Sequence, residues 1–242
     1  MSSYFYRHTL RMPRGLSVIA PLVLVLCVAA LLNLPAQTRV QQPQQIGAVR
    51  PQVIGSDVPA TRSTEILLKL AATVGQSIPA QKLVEYKLRS DPSTDERYWA
   101  IVDFNQPSTN KRFYVFDTLE RKVEAYYVAH GRGSGDSKDE RFASVFSNDP
   151  GSNSSSLGIY RALDEYNGNH GRSLRLAGLE QTNSNALERA VVLHKADYVS
   201  EDFIRKTGRL GRSEGCFAVE PIVGDTLIDK LENGGYIIAW KK

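Results

Sequence analysis

A thiol, an imidazole and a glycine-rich turn lie close together in one stretch of this chain, from His194 through KADYVSEDFIRKTGRLGR to Ser213-Glu214-Gly215-Cys216. The 242 residues include only two cysteines, and the other, Cys27, sits in an apolar N-terminal run. If that run is a targeting segment, Cys216 is the only thiol of an exported domain. An unpaired thiol outside the cytoplasm is either buried and inert or part of the chemistry. Gly215 before it lets the backbone turn sharply and bring its N–H groups close to a carbonyl. The arrangement suits a nucleophile with an oxyanion site and an upstream histidine as base. A free thiol with a pKa of ~8.5 is a poor nucleophile, and a neighbouring imidazolium is one means of lowering that value.

Three histidines follow the apolar run. His194 ends an AVVLH segment that reads as a strand, so its ring is expected on a rigid support. His130 also ends a strand-like segment, AYYVAH, and precedes a long polar stretch. His170 lies in the turn Asn167-Gly168-Asn169-His170-Gly171 and is expected to contact substrate rather than act as base. Arg209 and Arg212 flank the approach to the cysteine, where guanidinium groups can hold carboxylates by paired hydrogen bonds. No compact His/Cys/Asp set has zinc-ligand spacing, so no metal or other cofactor is expected.

These residues need elements to hold them. The domain is expected to open with two helices, one N-capped by Ser63 and ending at Gly75, the other starting at Pro79 and running to Arg89. After Asp91-Pro92, segments rich in Val, Ile, Tyr and Phe read as strands: Tyr98 to Phe104, Arg112 to Asp117 and Lys122 to His130. A Gly/Ser/Asp-rich region from Gly131 to Ser156 follows, with Phe142, Val145 and Phe146 as its apolar anchors; loops of this length are functional or mobile in compact domains. Leu157 to Ala162, Ser173 to Leu179 and Ala190 to His194 read as further strands. Pro221 to Leu231 has the spacing of a helix, and Asn233-Gly234-Gly235 turns the chain into a last strand, Tyr236 to Trp240. The fold class is therefore mostly β (α+β), with helices before the strands and one after the cysteine.

The first 34 residues read as a signal peptide or N-terminal membrane anchor. Arg7, Arg11 and Arg14 precede an apolar run from Leu16 to Leu32. Leu34-Pro35-Ala36 is a poor cleavage site, and the run approaches the ~17 residues that span a bilayer, so both fates stay open. Residues 35–62, rich in Gln and Pro, read as a flexible linker, leaving residues 63–242 as one domain. Those three arginines carry three of the four net positive charges. The remainder is nearly neutral and has no basic stripe, so nucleic acid is not an expected partner.

The His194…Ser213-x-Gly215-Cys216 pattern resembles that of the L,D-transpeptidases, cysteine enzymes that remodel peptidoglycan. With VAHGRGSG, FSNDPGSNSSSLGIYR, YNGNHGRSLRLAGLE, RAVVLHKADYVS and GRLGRSEGCFAV, the chain looks like the murein L,D-transpeptidase catalytic domain branch over roughly Tyr98 to Trp240. The resemblance implies a β-sandwich or barrel core. It implies Cys216 as nucleophile, His194 as base, the Lys195 carbonyl orienting that base, Gly215 and Cys216 as backbone donors, and Ser213 at the motif's hydroxyl position. It also implies a periplasmic or cell-envelope enzyme acting on peptidoglycan stem peptides, with the inner membrane as a further partner if the N-terminal segment is uncleaved. The reaction implied is attack by the thiolate on a tetrapeptide stem, release of D-alanine, and resolution of the thioester by an amine or by water. The sequence departs from the better-known pattern at Glu214, where a histidine is usual, at Phe217-Ala218, where a polar residue is frequent, and in its 22-residue His-to-Cys spacing. A sortase-like transpeptidase is a rival, but it needs an arginine after its cysteine and none follows Arg212. A non-catalytic wall-binding module is the other rival, since a carboxylate at Glu214 disfavours the thiolate.

Overall fold

The computed structural model describes residues 61–92, 96–232 and 234–242. Two helices, α1 (Arg62–Thr73) and α2 (Ser77–Ser90), precede strands β1 (Tyr98–Asp103), β2 (Phe113–Asp117) and β3 (Lys122–Tyr126). A long hairpin, β4 (Gly158–Gly168) and β5 (Gly171–Gly178), leads to β6 (Val192–Lys195), α3 (Glu201–Thr207), β7 (Phe217–Val219), α4 (Pro221–Leu231) and β8 (Tyr236–Trp240). The strands form one eight-stranded sheet in the order β3-β2-β1-β8-β4-β5-β6-β7. Pairs β1–β8 and β6–β7 are parallel, and the others are antiparallel. Beyond β3, Val128 bridges to Val219 of β7, and the Ala129 N–H donates to the Ala218 carbonyl at 2.9 Å. The two edges of the sheet therefore approach one another, and the mostly β domain is a near-barrel with four helices.

Both faces of the central strands are covered, which is why YWAIVD and YIIAW are almost wholly apolar instead of alternating with polar residues. Successive side chains point to opposite faces. Ala100, Val102, Ile237 and Ala239 point inward and pack with Phe217 and with Leu227, Ile228 and Leu231 of α4. Trp99, Ile101, Tyr236 and Ile238 point outward against Leu67 and Ala71 of α1 and Leu83 of α2. Each fully buried leucine here stabilises the fold by about 2 kcal/mol.

The element ends differ from the sequence reading for identifiable reasons. The N-cap of α1 is Thr61, whose carbonyl accepts from the Thr64 hydroxyl at 2.7 Å; Ser63 is buried within the first turn. Pro79 is the third residue of α2, still in the first turn where its missing N–H costs nothing. β6 starts only at Val192, because Ala190 has φ 51 and cannot continue a strand. The short α3, capped by the Ser200 hydroxyl accepting from Phe203 N–H at 3.2 Å, has no fully buried residue. It thus has no apolar stripe for sequence to reveal.

The Gly/Ser-rich region is a fastened wall. Gly131 and Gly133 lie so close to residues 152–155 that an added Cβ would meet the Asn153 or Ser152 carbonyl oxygen at 2.3 Å. Ser155 N–H donates to Ser134 Oγ at 2.8 Å, and Gly131 N–H donates to Ser155 Oγ at 3.0 Å. Small residues are needed here because backbone packs on backbone. Of the expected anchors, Phe146 packs on Phe104 with 5.5 Å between ring centroids, whereas Val145 is exposed; Ala143 is the residue that reaches the core.

Candidate active site

His194 stands on β6, and Cys216 immediately precedes β7, the parallel strand beside it. The register pairs His194 with Ala218 and Leu193 with Phe217. Leu193 and Phe217 face the barrel interior, so His194, Ala218 and, two residues earlier, Cys216 share the opposite face. Both open into a cleft of about 550 Å³ lined by the β4–β5 hairpin tip, by Arg189 and Ala190, and by Tyr198 and Arg212–Glu214.

The turn before the cysteine is held by one hydroxyl. Ser213 Oγ donates to the Cys216 carbonyl at 2.7 Å and accepts from Gly215 N–H at 3.1 Å. Ser213 is itself tied to the Gly-rich wall: its N–H donates to the His130 carbonyl at 3.1 Å, and its carbonyl accepts from Arg132 N–H at 2.8 Å. Gly215 has φ 117, which side-chain-bearing residues rarely adopt, and an added Cβ would meet the Ser154 carbonyl oxygen at 2.7 Å. The Gly215 N–H is thus engaged by the Ser213 hydroxyl.

His194 Nδ1 donates to the carbonyl of Lys195 at 2.9 Å, which places the acceptor lone pair on Nε2. Burial pushes the His194 imidazole below its ordinary value, opposed by the Lys195 hydrogen bond and reinforced slightly by His170. Burial also pushes the Cys216 thiol up; a Val192 N–H and the Arg189 guanidinium act against that rise, while Glu214 adds to it. Both shifts favour the neutral forms, thiol and imidazole, over a thiolate–imidazolium pair. The Sγ–H is directed at the Ala190 carbonyl, 3.5 Å away. Ala190 holds its left-handed φ within a Schellman-type ending: Val191 N–H bonds the Ala186 carbonyl at 2.8 Å and Ala190 N–H the Leu187 carbonyl at 3.1 Å.

The other residues singled out by sequence divide. His170 stacks on His194, with ring centroids 4.2 Å apart and planes 23° from parallel. Arg212 lines the cleft, donates to the Leu210 and Gly211 carbonyls, and is lowered to about 10 by burial and by Arg209. Arg209 turns away to pair with Glu140 at 2.8 Å. Lys195 bonds Asp225 through Nζ at 2.9 Å. Glu214, exposed at the rim, pairs with Arg132 at 3.0 Å.

A family model described as L,D-transpeptidase catalytic domain matches residues 71–240. The chain belongs to that family. Solved structures similar to this L,D-transpeptidase domain include an L,D-transpeptidase from Mycobacterium smegmatis, 15% identical, covering 60% of this chain and 59% of that one with a TM-score of 0.36. The LD transpeptidase LdtMt1 in complex with imipenem is 12% identical, covering 61% and 60% with a TM-score of 0.37. The helical cell shape determining protein Pgp2 from Campylobacter jejuni is 11% identical, covering 75% and 57% with a TM-score of 0.35. The chain thus spans 57–60% of the length of these structures. No curated protein matches it.

Within this L,D-transpeptidase domain, sequence reasoning missed three cleft residues. Arg189 donates to the Ser147 carbonyl at 2.8 Å, to Ser156 Oγ at 3.0 Å and to the Ser154 carbonyl, all in the Gly-rich wall, and its guanidinium lies against Gly215, where an added Cβ would meet it at 3.0 Å. Tyr198 lines the cleft and is pushed up to about 12 by burial beside Cys216 and Glu214. Tyr166 of β4 completes the wall. All three lie in the stretches YNGNHGRSLRLAGLE and RAVVLHKADYVS, but nothing in those stretches gives them a role, because only folding brings them to Cys216.

Proposed function

We propose that this domain is a cysteine L,D-transpeptidase of the cell envelope that acts on peptidoglycan stem peptides. The observation that supports the reading is that Cys216, just before β7, and His194 of β6 line one cleft, with the His194 Nδ1–H bonded to the Lys195 carbonyl. His194 Nε2 takes the thiol proton as Sγ attacks the carbonyl carbon between the L-centre of a diamino acid and a terminal D-alanine. Cys216 N–H, with the Arg189 charge nearby, stabilises the oxyanion. Collapse breaks the amide bond, and the imidazolium returns its proton to the departing amine of D-alanine. An amine of a second stem, or water, then gives a proton to His194, attacks the thioester and expels the thiolate, yielding a cross-link or a shortened stem. No step needs a cofactor. Arg212 is the candidate grip for substrate carboxylates.

Residues 63–242 are the proposed catalytic unit, with residues 35–62 as linker and residues 1–34 as signal peptide or inner-membrane anchor. The apolar run Leu16–Leu32 lies outside the described residues; among those described, no helix is long and apolar enough to cross a membrane. A second reading, a wall-binding module without turnover, draws on the raised thiol and the nearby Glu214. Product analysis of a defined disaccharide-tetrapeptide separates the two. The enzyme releases D-alanine with a cross-linked dimer or a tripeptide; unchanged substrate after prolonged incubation points to the module.

A further inference from the structure

His170 sits at the tip of the β4–β5 hairpin, where Gly168 pairs with Gly171. Gly171 has φ 73 with open space around it, so glycine is needed there for conformation and not for room. That left-handed residue closes a tight turn and turns the tip back toward the strands. β4 carries a register irregularity between Ala162 and Glu165, which bends the hairpin. The His170 ring lands face to face on His194, 4.2 Å between centroids. The hairpin is also bolted down two residues further on: the Arg172 guanidinium pairs with Glu165 and with Asp229 of α4 and donates to the Asp225 carbonyl at 3.3 Å. The side chain of the same Asp225 pairs with Lys195 Nζ at 2.9 Å, and the Lys195 carbonyl holds His194 Nδ1. The contacts close a circuit, from His170 through Arg172, α4 and Lys195 back to His194.

From this circuit we infer that His170 is a positioning residue for the base: its ring clamps the His194 plane so that Nε2 stays directed into the cleft beside Cys216. The inference rests on His194 serving as the base in the proposed reaction, and it replaces the expectation that His170 contacts substrate. His194 is buried and hydrogen-bonded at Nδ1, so the tilt of its ring plane depends on what packs against its faces. A ring stacked 4.2 Å away restrains that plane further. Misplacing a catalytic group by about 1 Å costs on the order of 10²-fold in rate. The stacking needs a flat ring at position 170, not an ionisable one.

The test compares His170→Ala with His170→Phe, both at an exposed hairpin tip, using two readouts. The first, independent of turnover, is the NMR signal of the His194 Nδ1 proton: sharp in the wild type and in His170→Phe, exchange-broadened in His170→Ala. The second is the rate of Cys216 acylation by imipenem, which lacks the stem-peptide contacts: at least tenfold slower in His170→Ala, within about threefold of wild type in His170→Phe. An unchanged Nδ1 signal in His170→Ala overturns the inference whatever the rates do. So does equal loss of acylation in both variants, or a defect confined to KM for the stem peptide with imipenem acylation intact. A wild type that imipenem does not acylate counts against the transpeptidase reading, and the NMR comparison still decides the role of His170.

Discussion

A buried thiol is harder to ionise, and a buried imidazole is harder to protonate. Cys216 and His194 shift in those opposite senses, so the neutral pair persists across a wider pH range than the isolated groups allow. Two expectations follow, with the sign fixed by burial. A base works only above its own pKa, so the acid limb of kcat/KM falls at a pH below the ordinary histidine value of ~6.5. Alkylation of the resting thiol by iodoacetamide needs thiolate, so its midpoint lies above the ordinary thiol value of ~8.5. His194→Ala lowers kcat/KM by roughly 10²–10⁴-fold. An alkylation midpoint near 6 would instead mean a preformed thiolate–imidazolium pair. This layer was legible in sequence as far as residue type goes: one thiol after the apolar run, two histidines ending strand-like segments, one glycine turn. Its protonation state was not, because burial belongs to the assembled cleft.

At the scale of the element, the cysteine turn and the Gly-rich wall act as one piece. Ser213 ties the turn to His130 and Arg132, and Gly215 presses on the Ser154 carbonyl, where Arg189 also bonds. Gly215→Ala is expected to destabilise the domain by about 2 kcal/mol or more, since it meets both a forbidden φ and a fixed backbone oxygen. Gly171→Ala meets only the conformational cost, roughly 1 kcal/mol. Urea unfolding of the two variants measures the difference, and equal losses would show that the wall yields to the turn. The regular elements were legible where a cap, a turn and an apolar run coincide. Pro221 opens α4, and glycines 234 and 235 precede β8. The wall read only as a long functional or mobile loop, because its order comes from Gly131, Gly133 and Ser134 bonding to Asn153 and Ser155, which carries no local period.

Across the whole molecule, a buried cation pins the end of the chain segment that closes the sheet. Arg112 is fully buried, donates to the Gln106 and Val128 carbonyls at 2.8 and 3.0 Å, and stands 2.9 Å from His130 Nδ1. Since Arg112 donates to Nδ1, the His130 proton sits on Nε2, a buried atom with no protein partner. Burial and the Arg112 charge hold His130 down to about 2, so it stays neutral in the native state. Unfolding frees it to titrate near ~6.5, so between those values the unfolded chain binds the extra proton and stability falls as pH drops. The His130 contribution to that slope is at most about 1.4 kcal/mol per pH unit. Urea denaturation between pH 7 and pH 4 is expected to show a flatter pH dependence for His130→Gln than for wild type, and identical slopes would contradict the assignment. Residues 112 and 130 gave no hint of this partnership in the sequence, where one began a strand and the other was a spare histidine.

The central claim is that Cys216 carries the acyl group. Purified protein incubated with disaccharide-tetrapeptide, quenched in acid and digested, is analysed by mass spectrometry for the peptide containing Cys216. The account predicts a gain equal to the donor stem less D-alanine on that peptide, absent in Cys216→Ala together with D-alanine release. Release of D-alanine by Cys216→Ala at the wild-type rate would contradict it.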